Sequence, residues 1–468
     1  MRSYWLQEAL GAEADVAPPL EGEQRADVCI VGGGYCGLWT ALRLKELEPA
    51  LDVAVVEADI CGGGASGRNG GFILSWWAKF GSLKKICGPE EALRLARASA
   101  QAPADIGAFC AAHEIDAHYR GEGWLWTATS AAQLGAWNDL VDELERYQVT
   151  PFEALSPEQA AARSGTRASL AGIFESTAAT IQPALLARGL RRVAIARGVR
   201  IYERSPMRAL ERSGSPKVRT ARGSIAADRV VLALNAWAAR FRELSRKMVV
   251  LGSEMVVTEA VPARLAEIGL DHGLAISDSR NLVHYYRTTL DGRIAFGKGG
   301  GPFAFANRVG TKYDRPSAFA AEVERNLRRL YPMLADVPVS MAWSGPIDRT
   351  VKGLPFFGRL GRREDIVYGA GFSGNGVGPT HLAGRILASL ALGLDDEWSG
   401  CGLVGAEVAR FPPEPIRYLG ARVVRAAIGR KERAEDAGRA AGALTERLAA
   451  LAPAGLVPVV EKSAAKQP

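Results

Sequence analysis

Two periods of apolar residues alternate along the chain. Asp27 to Val31 is a short apolar run of the kind that forms a strand buried on both faces. Directly after it, Leu38, Ala41 and Leu42 fall at i, i+3 and i+4, one apolar stripe of a helix. Val53 to Val56 is a second short apolar strand. From about Ile86 to Ala162 the pattern is helical, broken by Gly-Glu-Gly-Trp-Leu-Trp at 121–126, which suggests a strand. A helix over 183–197, a strand over 198–202 and a buried strand within 227–236 follow. Residues from about 248 to 340 read as an antiparallel sheet with helices. Within it, 283–287 and 293–297 flank the turn Leu290-Asp291-Gly292, a hairpin signal. The span 322–331 is a charged amphipathic helix, and a strand near Val367 precedes a helix over 380–392.

Three glycine-rich segments interrupt this pattern. The first, Gly32-Gly33-Gly34-Tyr35-Cys36-Gly37, reads G-x-G-x-x-G on Gly32, Gly34 and Gly37 between a strand and a helix. Such a turn brings backbone N–H groups and the positive helix end to a pyrophosphate. The second strand ends in Glu57, twenty residues beyond Gly37, where a dinucleotide fold places the carboxylate that holds an adenosine ribose. The second segment runs from Cys61 to Phe72 through Gly64, Ala65, Ser66, Arg68, Asn69, Gly70 and Gly71. So many glycines cannot pack a core, but they let backbone lie flat against something large. A nicotinamide site needs no second loop after the ribose acid, whereas an extended flavin does. The third segment, from Gly371 through Gly374, Asn375, Gly376 and Val377 to Pro379, repeats the order strand, glycine loop, helix. Its positive end suits charge developing at the pyrimidine edge of a reduced flavin.

Composition narrows the picture without changing it. At 468 residues, about half of them apolar, the chain can bury a large core in two domains. The early residues carry acids and prolines where a signal peptide needs an apolar core, and no apolar run reaches the roughly 18 residues of a membrane span. A cytoplasmic location without stable membrane insertion is the expectation. Six scattered cysteines and five scattered histidines suggest neither a disulfide framework nor a metal site. The net charge is +7, and +4 of it lies beyond residue 412, so the body gives no sign of a nucleic-acid partner.

The three glycine regions, in this order, resemble the D-amino acid oxidase-like superfamily of FAD-dependent amine oxidoreductases. The resemblance spans roughly residues 26–410. It rests on CIVGGGYCGL, GGGASGRNGGF, HYYRTTLDGRIAFGKGG, AWSGPIDRTVKGLPFFGRL and YGAGFSGNGVGPTHLAGRILA. Within the superfamily these segments are similar to the gamma-glutamylputrescine oxidoreductase type. The Tyr4-Trp5-Leu6 start also fits the aminophosphonate oxidoreductase type.

The resemblance implies an α/β plus α+β fold: a Rossmann-like, glutathione-reductase-type FAD-binding domain interleaved with an antiparallel-sheet substrate domain. The first would comprise 26–85, 163–245 and 341–412, and the second 86–162 and 246–340. A surface arm (1–25) and a basic helical tail (413–468) would flank them. FAD would lie with its pyrophosphate on Gly32, Gly34, Tyr35, Cys36 and Gly37, and its ribose on Glu57 beside Ala58. Gly64, Ala65, Ser66, Arg68, Asn69, Gly70 and Gly71 would follow the ribityl chain and ring. Met207 and Ala233 would meet the adenosine half, and Gly371, Gly374, Asn375, Gly376 and Val377 the pyrimidine end. Tyr285, Tyr286, Arg287, Trp343 and Arg349 would surround the substrate on the opposite face of the flavin.

Departures from the family pattern refine this. Glycine oxidase-like members carry an arginine where this chain has Ile347, which disfavours an ordinary alpha-amino acid. Histidine or cysteine at the positions that attach flavin covalently is missing, so FAD is expected to be dissociable. The position of the oxygen-activating lysine of sarcosine oxidases aligns with Ala295, and Lys298, three residues on, belongs to the other face of a strand. The acceptor is therefore oxygen or another electron carrier.

The expected reaction is transfer of a hydride from an amine carbon to flavin N5, with the imine hydrolysed to an aldehyde or ketone. The substrate would be a gamma-glutamylated diamine or an aminoalkylphosphonate. Arg287, Arg349 and Lys352 could receive its anionic end, and Trp76, Trp77 and Lys79 could line the entrance. A membrane-associated dehydrogenase feeding quinones, a flavin enzyme acting on tRNA and a non-catalytic flavoprotein are the alternatives. Nothing in the sequence sets the oligomeric state.

Overall fold

A computed structural model of the chain describes residues 2–12, 15–361 and 363–453. The expectation for a tail to 468 thus extends beyond the described residues. Two large sheets organise the molecule. The first has the order 356–359, 366–370, 223–232, 22–31, 53–56, 200–202, with the short strands Ala209–Glu211 and Lys217–Arg219 attached to Gly223–Leu232. Strand Gly22–Val31 lies at its centre, parallel to Gly223–Leu232 on one side and Val53–Val56 on the other. Two parallel neighbours explain the continuous apolar run at its end, because both faces must be covered. Helix Tyr35–Leu47 covers one face together with helix Pro379–Leu392.

The second sheet has the order 339–349, 249–258, 294–298, 284–288, 275–278, 124–128, 171–175, 153–155. It is antiparallel except where Ala275–Asp278 meets Trp124–Ala128. The strand at 124–128 is the one suggested by the Gly-Trp-Leu-Trp break, and 284–288 pairs with 294–298 as the expected hairpin.

Three boundaries differ from the sequence expectation. Strand Ala171–Glu175 belongs to the second sheet, although the segment 163–245 was expected in the nucleotide domain. Strand Val339–Arg349 pairs with Val249–Thr258 along almost its whole length, so 341–349 also belongs to the second sheet. Conversely, helix Pro89–Ala112 packs on helix Pro379–Leu392, and its Leu95, Ala96 and Ile106 enter the core that holds Trp39 and Ile386. Helical periodicity shows that a face is buried but not against which partner, so this insert could not be assigned from its pattern.

The first residues are not a surface arm. Helix Tyr4–Ala12 buries Trp5, Leu6 and Ala9 against Met255, Ala295 and Trp343 of the second sheet. Beyond the helix, the backbone N–H of Ala17 donates to Glu203 at 2.7 Å, and Arg188 and Arg191 pair with the same carboxylate.

Candidate functional site

A cavity of about 1030 Å³ runs between the two sheets, and all three glycine segments line it. Its lining includes Glu57, Ala58, Met207 and Ala233, then Gly32, Gly34, Tyr35, Cys36, Gly64, Ala65 and Ser66, and Gly374, Asn375, Gly376 and Val377. The first turn delivers its helix as expected. Gly34 is the N-cap of Tyr35–Leu47, no side chain caps it, and Ser66 Oγ accepts from the Tyr35 N–H at 2.9 Å. The first two loops are thereby tied together across 31 residues.

Gly37, Gly71 and Gly371 lie behind the lining. A Cβ at Gly37 would stand 2.0 Å from the Gly32 carbonyl oxygen, so this glycine serves the packing of helix on strand. Glu57 accepts from the N–H of Gly33 (2.7 Å) and of Asp59 (2.8 Å). Burial pushes its carboxyl up to about 7, against the pull of those two donors.

The polar residues of the second loop hold the loop itself. Asn69 donates to the carbonyls of Ala65 and Ser66 and accepts from the Gly71 N–H. Arg68 donates to the carbonyls of Gly63, Tyr313 and Ser344 and pairs with Asp314. Both reach the cavity wall, but their donors are spent on backbone and carboxylate, and what the loop offers the cavity is its stripped backbone and Gly70. The third loop is held by Asp348, a buried carboxylate that sequence reasoning missed. It accepts from the N–H of Gly371 (2.5 Å) and Ser373 (3.3 Å).

The five residues expected around the substrate divide. Tyr285 lines the cavity, its hydroxyl within 2.7 Å of Ser253 Oγ, and Arg349 lines it two residues beyond Ile347. Tyr286 does not. Successive residues of a strand point to opposite faces, and Tyr286 is 1% exposed on the far side, stacked on Phe296 and edge-on to Tyr331. Arg287 faces the cavity side but stops short of it: it donates to the carbonyls of Gly70 and Ile181 and lies over the Trp5 ring. Trp343 is buried against Trp5, and its Nε1 donates to the Arg68 carbonyl at 2.8 Å. Lys352 and the buried Trp76 and Trp77 are outside the lining, whereas Lys79 is part of it. Lys298 faces away, as the strand period requires; its Nζ lies 3.1 Å from His284 Nε2 and 3.4 Å from Glu432.

That last contact belongs to an unforeseen arrangement. Helix Ile416–Asp436 lies over the cavity mouth, with Gly420, Ala421, Val424, Arg425 and Ile428 in the lining beside Leu282 and Val283. Buried charges anchor it. Glu432 accepts from the Leu282 N–H at 2.9 Å and pairs with Lys298, while Arg280 bridges Asp436 and Asp278. Helix Ile416–Asp436 is therefore docked on the body and forms a wall of the cavity.

The protein fits an extended dinucleotide: a long slot, an uncapped helix end, a carboxylate at one end and side-chain-poor loops along it. A family model described as "FAD dependent oxidoreductase" (DAO) matches residues 27–390. The chain belongs to the DAO family of FAD-dependent oxidoreductases. It is 31% identical over 370 residues to gamma-glutamylputrescine oxidoreductase of Escherichia coli K12, covering 78% of this chain and 84% of that protein. It is 30% identical over 399 residues to the probable oxidoreductase OrdL of Rhizobium meliloti, covering 84% and 89%. Glycine oxidase from Geobacillus kaustophilus shares the fold at a TM-score of 0.68 and 22% identity, over 83% of this chain and 100% of that one. FAD is thus the cofactor for which the slot is built. The tail helix lies beyond the matched region. Among the described residues, no helix is long and apolar enough to cross a membrane, and no cluster could hold a metal ion.

Proposed function

We propose that this DAO-family enzyme oxidises the C–N bond of a small amine that carries an acidic group away from the reacting carbon. Gamma-glutamylated diamines and aminoalkylphosphonates are substrates of this kind. The observation that carries the reading is the pairing of Ile347 with Arg349 on one face of strand Val339–Arg349. Ile347 abuts Gly374 of the third loop, with its Cδ1 3.4 Å from where a Cβ there would stand. An apolar side chain at that point offers no clamp for a carboxylate on the reacting carbon. The cation stands two residues further along, about 7 Å at the rise of a strand.

FAD, when bound dissociably, supplies the acceptor for the hydride that leaves the amine carbon. The chain's own residues bind and orient. Tyr285, fixed by Ser253 and packed over Gly70, walls the space beside the second loop. Its ring is also the kind of face that holds an ammonium group. Asp348 keeps the third loop in place. The tail helix closes the outer side with Val424 and Ile428, so the reacting carbon is shielded from bulk water. The imine leaves the site or meets water there, giving a carbonyl compound and the freed amine or ammonia.

The test is single turnover without oxygen: holoenzyme is mixed with gamma-glutamylputrescine or 2-aminoethylphosphonate, and the carbonyl product is trapped and counted. One carbonyl per flavin reduced is expected; reduction without a carbonyl product would refute the reading. A second reading, electron delivery to a quinone at a membrane surface, draws on one observation. The tail helix exposes Leu419 and Val423 on its outer side, each more than half exposed, next to Arg422. Binding to anionic liposomes that the pair Leu419→Glu and Val423→Glu abolishes would support it; no binding by the parent protein would remove it.

A further inference from the structure

The tail is a small unit of its own, attached to the body largely through polar groups. Helix Ile416–Asp436 packs on helix Ala443–Ala449: Lys431 pairs with Glu446 at 2.7 Å, and Ala427, Ile428 and Ala449 form an apolar cluster between them. Among the described residues, Leu282 is the body side chain that joins this cluster. The two ends of the long helix are held differently. Near its start, Arg417 donates to the Ser245 carbonyl at 2.6 Å, Glu414 accepts from the Ala306 N–H at 3.1 Å, and Tyr418 meets Phe305 edge-on. At Glu432, roughly 23 Å beyond Arg417 at the rise of a helix, acids of the tail meet cations of the body. Glu432 pairs with Lys298 at 3.4 Å, and Asp436 pairs with Arg280 and Arg329. Lys298 and Arg280 are both buried, and each has a second partner that belongs to the body. Lys298 Nζ donates to the Leu282 carbonyl at 3.2 Å and lies 3.1 Å from His284 Nε2. Arg280 pairs with Asp278 at 2.9 Å, and the same carboxylate lies 2.7 Å from His284 Nδ1.

Breaking a buried ion pair is costly when it leaves an unanswered charge in the interior. This arrangement avoids that outcome on both sides. When the tail withdraws, Lys298 and Arg280 keep their body partners, while Glu432 and Asp436 pass into water, where carboxylates are well hydrated. We propose that the two tail helices form a hinged lid over the substrate space, pivoting near Glu414 and Arg417, with Lys298 and Arg280 as its catch. A polar interface between two units is the kind across which one moves as a body. Closed, the lid sets Gly420, Val424 and Ile428 on the cavity beside Leu282 and removes the mouth from bulk water while the amine is oxidised. Open, it admits substrate and lets product leave. The device rests on the slot being the FAD and substrate space and holds for any amine the site takes.

The Leu282 N–H reports the catch, since it donates to Glu432 at 2.9 Å and is freed when the lid lifts. Hydrogen exchange is followed on the FAD-loaded full chain, with peptide fragmentation in the mass spectrometer to resolve single amides. Leu282 is expected to exchange at least a hundredfold faster than Phe296 in strand Ile294–Lys298, which opens only with the whole sheet. Asp436→Asn weakens the other half of the catch without touching Leu282, and should speed Leu282 at least tenfold while Phe296 is unchanged. The amides of Val424 and Ile428, inside the long helix, should stay slower than Leu282, because the lid moves as a body. In Glu432→Gln, quenching of flavin fluorescence by iodide should rise at least threefold, with total salt held at about 0.5 M so that the changed charge is screened. Leu282 as slow as Phe296, an Asp436→Asn that leaves Leu282 unchanged, or unaltered quenching in Glu432→Gln would each make the tail a fixed wall and overturn the lid. Helix amides exchanging together with Leu282 would make it a melting segment and overturn the lid as well. If Asp436→Asn fails to fold, the parent protein's exchange and Glu432→Gln decide the question. Neither readout involves an amine, so a lid that fails leaves the substrate reading standing, and an enzyme that oxidises no amine can still show the lid.

Discussion

Asp348 accepts a 2.5 Å hydrogen bond from the backbone N–H of Gly371, across 23 residues and from one sheet to the other. Strand Val339–Arg349 thus carries Ile347 and Arg349 toward the cavity and, between them on the opposite face, the carboxylate that positions the third glycine loop. Burial raises that carboxyl to about 6, and four backbone donors pull against the rise. Replacing it removes hydrogen bonds to a charged group, each of about 1.5–3 kcal/mol. Asp348→Ala is expected to weaken FAD binding by tenfold or more, measured by flavin release on dilution. Asp348→Asn, which keeps one acceptor, should lie between it and the parent protein.

Gly297 has no room for a side chain: a Cβ there would stand 2.2 Å from Cζ of Tyr285. Gly297→Ala must therefore push the Tyr285 ring into the cavity. A steep rise in KM with FAD content retained is expected. Tyr285→Phe loses only the hydroxyl contact with Ser253, about 1 kcal/mol, and should be milder. The reverse order in steady-state kinetics would mean that Tyr285 is not a wall of the substrate space.

Val424 and Ile428 bring the tail helix into the cavity lining. Val424→Trp is expected to raise KM at least tenfold, about 1.4 kcal/mol, with the flavin spectrum and FAD content unchanged. Iodide quenching of flavin fluorescence should become weaker in the same variant. Unaltered KM and quenching would show that the tail leaves the mouth of the site open in solution.

His381 stands at the start of helix Pro379–Leu392, edge-on to Trp39, where burial and Arg385 lower it from 6.5 to about 4. The unfolded chain takes a proton on this histidine below pH 6.5 and the folded chain does not until about pH 4. Its contribution is full above pH 6.5 and is lost as pH falls toward 4, up to about 3 kcal/mol. His381→Gln should flatten the fall of Tm with acidification over that window; an unchanged slope would assign the fall to other groups.

How much of this was legible beforehand depended on sequence distance. The strand, glycine turn and helix at 27–42 are local, and glycine chemistry announces them, so the nucleotide half of the slot could be read directly. Tyr285, Tyr286 and Arg287 could not all face one site, and the period of a strand was enough to exclude Tyr286. Arg287 shares the face of Tyr285, and only the tertiary fold shows that carbonyls of Gly70 and Ile181 consume it. Trp5, Leu6 and Ala9 lie at helical spacing, a signal that would have turned the expected surface arm into a docked helix. Lys79 carried a signal as well, a single charge closing a run of large apolar residues. The tail as a wall was beyond reach, because its contacts with Leu282 and Lys298 bridge more than 130 residues and leave no local trace.

The account stands most directly on what reduces the flavin. Anaerobic holoenzyme is mixed in turn with gamma-glutamylputrescine, 2-aminoethylphosphonate, putrescine, sarcosine and glycine, and the bleaching of the yellow chromophore is followed. Fast bleaching by an amine with a distal acid group, and slow or absent bleaching by putrescine and glycine, is the predicted result. Bleaching by glycine alone would contradict the assignment of Ile347 and Arg349 and with it the proposed substrate class.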